Sequence, residues 1–209
     1  MGTNAKIMTN EEALKKYTAE ELTKFRVQIC YNTMEGLTEE HMGSDNQWIE
    51  IDKAFPDNVR ILFADNKTVG YWSFVCLKND AFEKAKKGVL SEEHFNINLC
   101  EEMTKPGEYK GYFTSIAVLP EYRCFKNFRL LIEALIDQLV TYAEKGIFIT
   151  EWTTNAFTKD GETLSKVLGM QKLRTGKTGG EIYYAPPGWH SKGFLKRYPK
   201  LAQAYSKMN

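Results

Sequence analysis

The sequence predicts an α/β fold, a mixed and largely antiparallel sheet with helices on both faces. Three observations carry that expectation. Residues 59–64 and 68–75 are rich in β-branched and aromatic side chains on either side of Asp65-Asn66-Lys67, which is the pattern of an antiparallel hairpin. From Tyr109 to Tyr184, strand and helix patterns then alternate, and an alternating order after an antiparallel start implies helices covering both faces of one sheet. A chain of 209 residues, 43% hydrophobic and 26% charged, has the composition of an ordinary globular protein that buries a sizeable core.

The elements follow in order. Residues 10–35 read as two helical pieces. The second is announced by Thr18-Ala19-Glu20-Glu21, a capping box in which a hydroxyl and a carboxylate satisfy orphan amides, and Leu22, Phe25, Arg26 and Ile29 follow at helical spacing. Gly43-Ser44-Asp45-Asn46 reads as loop. After the hairpin, residues 78–108 form a charged, helix-favouring insertion of one or two helices, closed by the turn residues Lys105-Pro106-Gly107. A strand over 109–119 stops at Pro120, which lacks the amide a ladder needs. A longer helix with the stripe Ile132, Leu135, Ile136, Leu139 and Ala143 ends at Gly146, and a strand over 147–154 follows. Asp160 is placed to cap a short helix ended by Gly169, and 170–173 with 181–184 form a final strand pair. Gly176-Lys177-Thr178 imitates the end of a P-loop, but Gln171 stands where that motif needs glycine, so a hairpin turn is expected. Residues 188–209 read as a basic amphipathic helix with a solvated face. The whole, 1–209, reads as a single domain.

Several function classes drop out. Twenty-eight basic residues against twenty-seven acidic ones leave a net charge of +1, without the field that nucleic-acid binding requires. No apolar run approaches the roughly 20 residues that span a bilayer, and the polar start has no signal-peptide core, so neither membrane nor secretion is expected and the cytoplasm is. Cys30, Cys76, Cys100 and Cys124 stand far apart, as do His41, His94 and His190, which argues against metal and disulfide frameworks and reads most of the cysteines as small core residues. The sequence fixes no oligomeric state, and a homodimer is compatible with it.

The stretch that points to chemistry is Ser115-Ile116-Ala117-Val118-Leu119-Pro120-Glu121-Tyr122-Arg123, a strand end followed by a short loop and a long helix. A helix N-terminus directly after a strand presents unpaired amides and positive dipole charge to an anion such as a pyrophosphate. Here the chain resembles the GNAT superfamily of acyl-CoA-dependent N-acyltransferases, whose V-x-P-x-[YF]-R strand end is matched by Val118, Pro120, Tyr122 and Arg123. Residues 164–170 are similar to that family's L-Y-x-x-x-G-F junction. The resemblance covers about 59–184 and implies a GNAT-like fold. It also implies acetyl-CoA or another acyl-CoA as co-substrate, lying across a V-shaped opening between the strand ending at Leu119 and the one beginning near Ile147. Backbone groups of Ile116 and Val118 would pair with the pantetheine amides, and the loop amides would take the pyrophosphate. An amine on a small molecule or a protein would then attack the thioester directly, with a base removing its proton.

The chain departs from that family at two places. The loop glycines of R-x-x-G-x-G are Lys126 and Phe128 in Arg123-Cys124-Phe125-Lys126-Asn127-Phe128. Either Lys126 and Arg129 supply charge to a remodelled phosphate site, or the site has lapsed and the fold serves binding or regulation. A nucleotide-binding module at the same helix N-terminus is a third reading. The tyrosine that often acts as acid falls at Ser165, a much weaker acid. Replacements are Tyr112, Glu151, and Tyr183 or Tyr184, and Glu108 is a candidate base acting through a water. Phe82, Phe95, Ile97 and Leu99 of the insertion would wall the acceptor side, which points to a less charged acceptor or a longer acyl chain.

Overall fold

Among the described residues seven strands make one sheet: β1 (Lys6–Thr9), β2 (Val59–Ala64), β3 (Lys67–Cys76), β4 (Gly107–Val118), β5 (Ile147–Ala156), β6 (Gln171–Thr175) and β7 (Glu181–Ala185). Their spatial order is β1-β2-β3-β4-β5-β7-β6, and every neighbouring pair is antiparallel except β4 with β5. The structure is a computed structural model and describes residues 4–34 and 37–208. The hairpin read from the sequence is β2–β3, turned by Asp65 (φ 50°) and Asn66 (φ 62°). Two consecutive left-handed residues match the twist of the flanking strands, and Asp and Asn tolerate that conformation best among residues with a Cβ.

Eight helices flank the sheet among the described residues: α1 (Asn10–Leu14), α2 (Ala19–Thr33), α3 (Glu39–Met42), α4 (Asp45–Ala54), α5 (Asn79–Lys86), α6 (Phe125–Glu144), α7 (Lys159–Val167) and α8 (Pro199–Tyr205). The capping box of α2 forms as read: the Thr18 hydroxyl accepts from the Glu21 amide at 3.2 Å, and the Glu21 carboxylate accepts from the Thr18 amide at 2.8 Å. The expected end of this helical stretch near Glu35 lies outside the described residues.

Four readings change. The four-residue strand β1, too short to show a period, pairs with β2. The segment read as loop at 43–46 instead starts α4, because the Ser44 hydroxyl accepts from the Gln47 amide. Thr158, not Asp160, caps α7, by accepting from the Gly161 amide at 3.0 Å. The expected basic tail helix is two 3-10 turns and the short α8, because Pro199 starts a new helix and Trp189, Leu195, Leu201 and Tyr205 are buried. These residues join the main core, so the tail is packed as well as basic.

That core lies between α6 and the sheet. Leu131, Ile132 and Ile136 of α6 are fully buried against Trp72, Phe74 and Trp152. Each such side chain contributes about 1.5–3 kcal/mol by leaving water. Helices α2, α4 and α5 cover the opposite face, where Phe82, Phe95 and Tyr112 form a second cluster. The register between β4 and β5 shifts after Tyr109, and the backbone of Ile149 turns to the tail instead. Its carbonyl accepts from Trp189 Nε1 at 2.9 Å, and its amide donates to the Tyr205 hydroxyl at 3.2 Å.

Gly111 lets β4 approach β5 closely. A Cβ there would stand 2.4 Å from Cε3 of Trp152, a buried ring in edge contact with Phe74 and Trp189. Gly111→Ala is expected to lower stability by about 1–3 kcal/mol. A urea unfolding curve will show a reduced midpoint at unchanged slope.

Candidate active site

The parallel pairing of β4 and β5 ends at Tyr112 and Thr153. Beyond it β5 continues with β7, through Thr154–Tyr183, Asn155–Ile182 and Ala156–Glu181, while residues 113–118 of β4 stay paired only with β3. The strands diverge because β4 carries an extra residue, Thr114, between the Phe113–Phe74 and Ser115–Ser73 pairs. A bulge bends its strand and increases the local twist. The Thr114 hydroxyl donates to the Ser73 carbonyl at 2.8 Å and anchors it. At the point of divergence the Thr154 hydroxyl donates to the Phe113 carbonyl at 2.7 Å, closing the last ladder position with a side chain.

The opening continues into a cavity of about 510 Å³, lined by residues 113–118 of β4, residues 154–156 of β5, one face of α2 and the starts of α6 and α7. On its β4 wall the Leu119 amide bonds back to Val69 of β3, so by the alternation of a ladder the backbone groups of Ile116 and Val118 face the opening. Arg123 Nε takes the Val118 carbonyl at 3.1 Å, while Nη1 reaches Asp160 of α7 at 3.1 Å.

At one end stands the N-terminus of α6. Cys124 provides no side-chain cap, so the first-turn amides are left to the opening. Phe125 lines the cavity, but its side chain is 76% exposed and does not fill the notch; Phe128 also lines it and packs partly into the core. Among the described residues the only non-glycine positions with positive φ are Asp65 and Asn66, so the segment from Arg123 to Phe128 adopts a backbone that needs no glycine. Lys126 is exposed. Arg129 pairs along the helix with Glu133 at 2.8 Å, and Asn127 is buried with its amide nitrogen donating to the Tyr122 carbonyl.

At the other end is Glu92, from a 3-10 turn of the insertion. Gln47 of α4 pins that turn by donating to the Glu92 carbonyl at 2.6 Å, and the Tyr112 hydroxyl donates to the Glu92 carboxyl at 3.0 Å. Burial pushes the Glu92 carboxyl up to about 8, with the Tyr112 hydrogen bond opposing it. Burial, with Glu92 adding to it, raises Tyr112 well above the ordinary phenol value. Nearby, the buried Arg26 is paired with Asp52 through both terminal nitrogens, and Cys30 Sγ contacts the Tyr71 hydroxyl at 2.8 Å.

Of the catalytic candidates read from the sequence, Tyr112 and Ser165 reach this site. Tyr112 does so through its bond to Glu92. Ser165 lines the cavity, with its hydroxyl donating to the Gly161 carbonyl at 2.8 Å. Glu108 is exposed at the start of β4, and Glu151 lies before the divergence; neither borders the cavity. Burial tends to raise Glu151, but Tyr184 and Lys110 hydrogen bonds prevail and hold it below the usual carboxylate range. Tyr183 donates to Glu162 of α7. Phe82 and Phe95 are buried in the second cluster, so the insertion meets the cavity through Glu92 and not through an apolar wall. Glu92 went unrecognised because Glu92-Glu93 reads as a solvated helix start; nothing local in the sequence marks its burial. Three cysteines are buried as expected, and Cys124 is exposed. Among the described residues no group of three or more histidine, cysteine or acidic residues is placed to hold a metal, and no helix is long and apolar enough to cross a membrane.

This architecture is the GNAT fold. Solved structures similar to it include the loading GNATL domain of CurA from Lyngbya majuscula (TM-score 0.53, 12% identity, 89% of this chain and 98% of that one). Another is Naa20 from Chaetomium thermophilum with a bisubstrate analogue (0.51, 13%, 92% and 90%). A third is the diaminobutyrate acetyltransferase EctA from Paenibacillus lautus with L-2,4-diaminobutyric acid and coenzyme A (0.51, 11%, 89% and 96%). No family model and no curated protein sequence matches the chain.

The Glu92 carboxyl gives this site a measurable signature. Its folded value lies above the ordinary 4.5, so the folded protein holds the extra proton between these limits. The associated stability is fully present below about pH 4.5 and lost as pH rises to about 8. Glu92→Gln, neutral throughout, is expected to flatten that decline in unfolding free energies measured across the same window.

Proposed function

We propose that the protein is an acyl-CoA-dependent N-acyltransferase, with acetyl-CoA the simplest donor and a primary amine the acceptor. The observation that carries this reading is the opening itself. One wall is an unpaired strand edge, one end is an uncapped helix N-terminus, and the other end is a carboxyl tuned to about 8. The likeness in fold to acetyltransferases solved with a bisubstrate analogue or with coenzyme A supports it.

A thioester arm laid along residues 113–118 pairs its amides with the backbone of Ile116 and Val118. Its phosphates meet the first-turn amides of α6, where Lys126 adds charge and Arg123 exchanges Asp160 for phosphate; charge-assisted bonds of this kind contribute about 1.5–3 kcal/mol each. The exposed Phe125 ring offers a stacking face to the nucleotide base. Cys124 and Phe128 border the phosphate notch, Asn127 braces it through Tyr122, and Arg129 stays on the outer face of α6 with Glu133.

In the chemical step the Glu92 carboxylate takes a proton from the amine. The nitrogen attacks the thioester carbonyl, whose developing charge is met by the Ile116 amide beside the bulge. The C–N bond forms, the C–S bond breaks, and CoA leaves as thiolate. A thiol ionises near 8.5, so the leaving group needs no dedicated acid, consistent with serine at position 165. Tyr112 orients Glu92.

Isothermal titration with acetyl-CoA at up to millimolar concentration tests the reading: saturable heat is expected, and its absence overturns it. In a thiol-release assay kcat is expected to rise with pH through about 8. Glu92→Gln is expected to lower kcat by about 10²–10⁴-fold, flatten that rise and leave acetyl-CoA affinity unchanged.

A further inference from the structure

The acceptor end of the cavity has a distinct chemical character. Among the described residues its lining holds few charges, and most are already neutralised. Arg26 is bidentate with Asp52 and also reaches the Thr23 hydroxyl at 3.4 Å; at the far end Arg123 is paired with Asp160. Both His41 ring nitrogens are engaged, Nδ1 with the Thr38 hydroxyl at 2.8 Å and Nε2 with the Thr178 carbonyl at 2.8 Å. Glu92 is the exception, since its side-chain partner is a neutral hydroxyl. Of the apolar lining residues, Met42 and Trp48 stand beside Glu92: Trp48 Nε1 donates to the Met42 carbonyl, and the neighbouring Gln47 donates to the Glu92 carbonyl.

The outer route from this end is bridged. The His41–Thr178 contact ties α3 to the turn between β6 and β7, and the His41 ring packs against Phe157 with centroids 4.9 Å apart. Asn155 holds the same turn by donating to the Gly179 carbonyl at 3.1 Å. This contact holds α3, whose His41 and Met42 line the cavity, against the lining residue Phe157, and a polypeptide acceptor, which must continue outward from its reacting amine, is the class such a bridge would hinder.

Resting on the acyltransferase reading, we infer that the acceptor is a small primary monoamine with an apolar, uncharged body, of the alkylamine or arylalkylamine class. Its ammonium group meets Glu92, whose carboxylate takes one proton before attack; the second proton, shed by nitrogen as the C–N bond forms, passes to the departing thiolate. Its hydrocarbon body lies against Trp48 and Met42. Among the described residues, a carboxylate on the acceptor would find Arg26, the cation at this end, already paired with Asp52, and a second ammonium would find no unpaired carboxylate besides Glu92.

The test is a thiol-release assay with acetyl-CoA and a panel of acceptors: hexylamine, phenethylamine, spermidine, lysine, L-2,4-diaminobutyric acid and a five-residue peptide with a free N-terminus. The expected result is a kcat/KM for hexylamine or phenethylamine at least tenfold above every charged or peptidic acceptor. Trp48→Ala is expected to raise KM for the two monoamines several-fold without changing acetyl-CoA affinity. His41→Ala, which removes the bridge, is expected to narrow the gap between monoamine and peptide. Faster turnover of the peptide, the amino acids or the polyamine overturns the inference, and so does acetyl-CoA binding with no turnover of either monoamine. Absence of acetyl-CoA binding is separately visible by titration and removes the transferase reading itself, and the inference with it.

Discussion

The parting of β4 from β5 beyond Tyr112 is the constraint on which the rest of the structure depends. Two paired strands satisfy each other's backbone; two that separate leave polar groups that must find other partners. Thr154 closes the first vacated position on the Phe113 carbonyl, and Arg123 closes the last on Val118. Between these two closures lies the stretch of free strand edge that the cavity exposes. The bulge at Thr114 keeps the divergence in place, because its hydroxyl is committed to β3.

Around this fork the neighbouring elements divide their tasks. Helix α6 buries its apolar stripe on the sheet and thereby fixes where its own N-terminus points. The insertion uses its aromatic residues Phe82 and Phe95 to build a second core, and that core carries Tyr112, which in turn holds Glu92. The tail completes β5 from below, with Trp189 and Tyr205 taking the backbone groups of Ile149 that the register shift leaves over. Strand geometry at the cavity is thus secured by residues distant from it in sequence.

The hairpin, the central strand stopped by Pro120 and the long helix were legible because each depends on local chemistry: β-branched runs, a missing amide, a 3.6-residue stripe. So was the strand-to-helix junction at Val118–Arg123, which located one end of the cavity. The strand at Lys6–Thr9 escaped because four residues are too few to show a period, and the Ser44 cap because Gly43-Ser44-Asp45-Asn46 is made of residues that favour turns as well as helix starts. The other end of the cavity was not legible. Glu92 acquires its character from its partly buried place against Tyr112 and Gln47, twenty and forty-five residues away in the chain, and two adjacent glutamates ordinarily denote a wet surface. Glu151 and Glu108 stood nearer the central strand in sequence, yet β4 and β5 are still paired where these residues lie.

The first turn of α6 differs from those of α2 and α4. Thr18 and Ser44 finish their helices with a hydroxyl, whereas Cys124 leaves this one incomplete. A missing cap of this kind costs about 1 kcal/mol of helix stability, and α6 is the longest helix among the described residues as well as one half of the main core. An anion seated at that end would finish the helix from outside the polypeptide. The rigidity of the whole layer would then follow the occupancy of the opening, so that filling the site and firming the core become a single thermodynamic event.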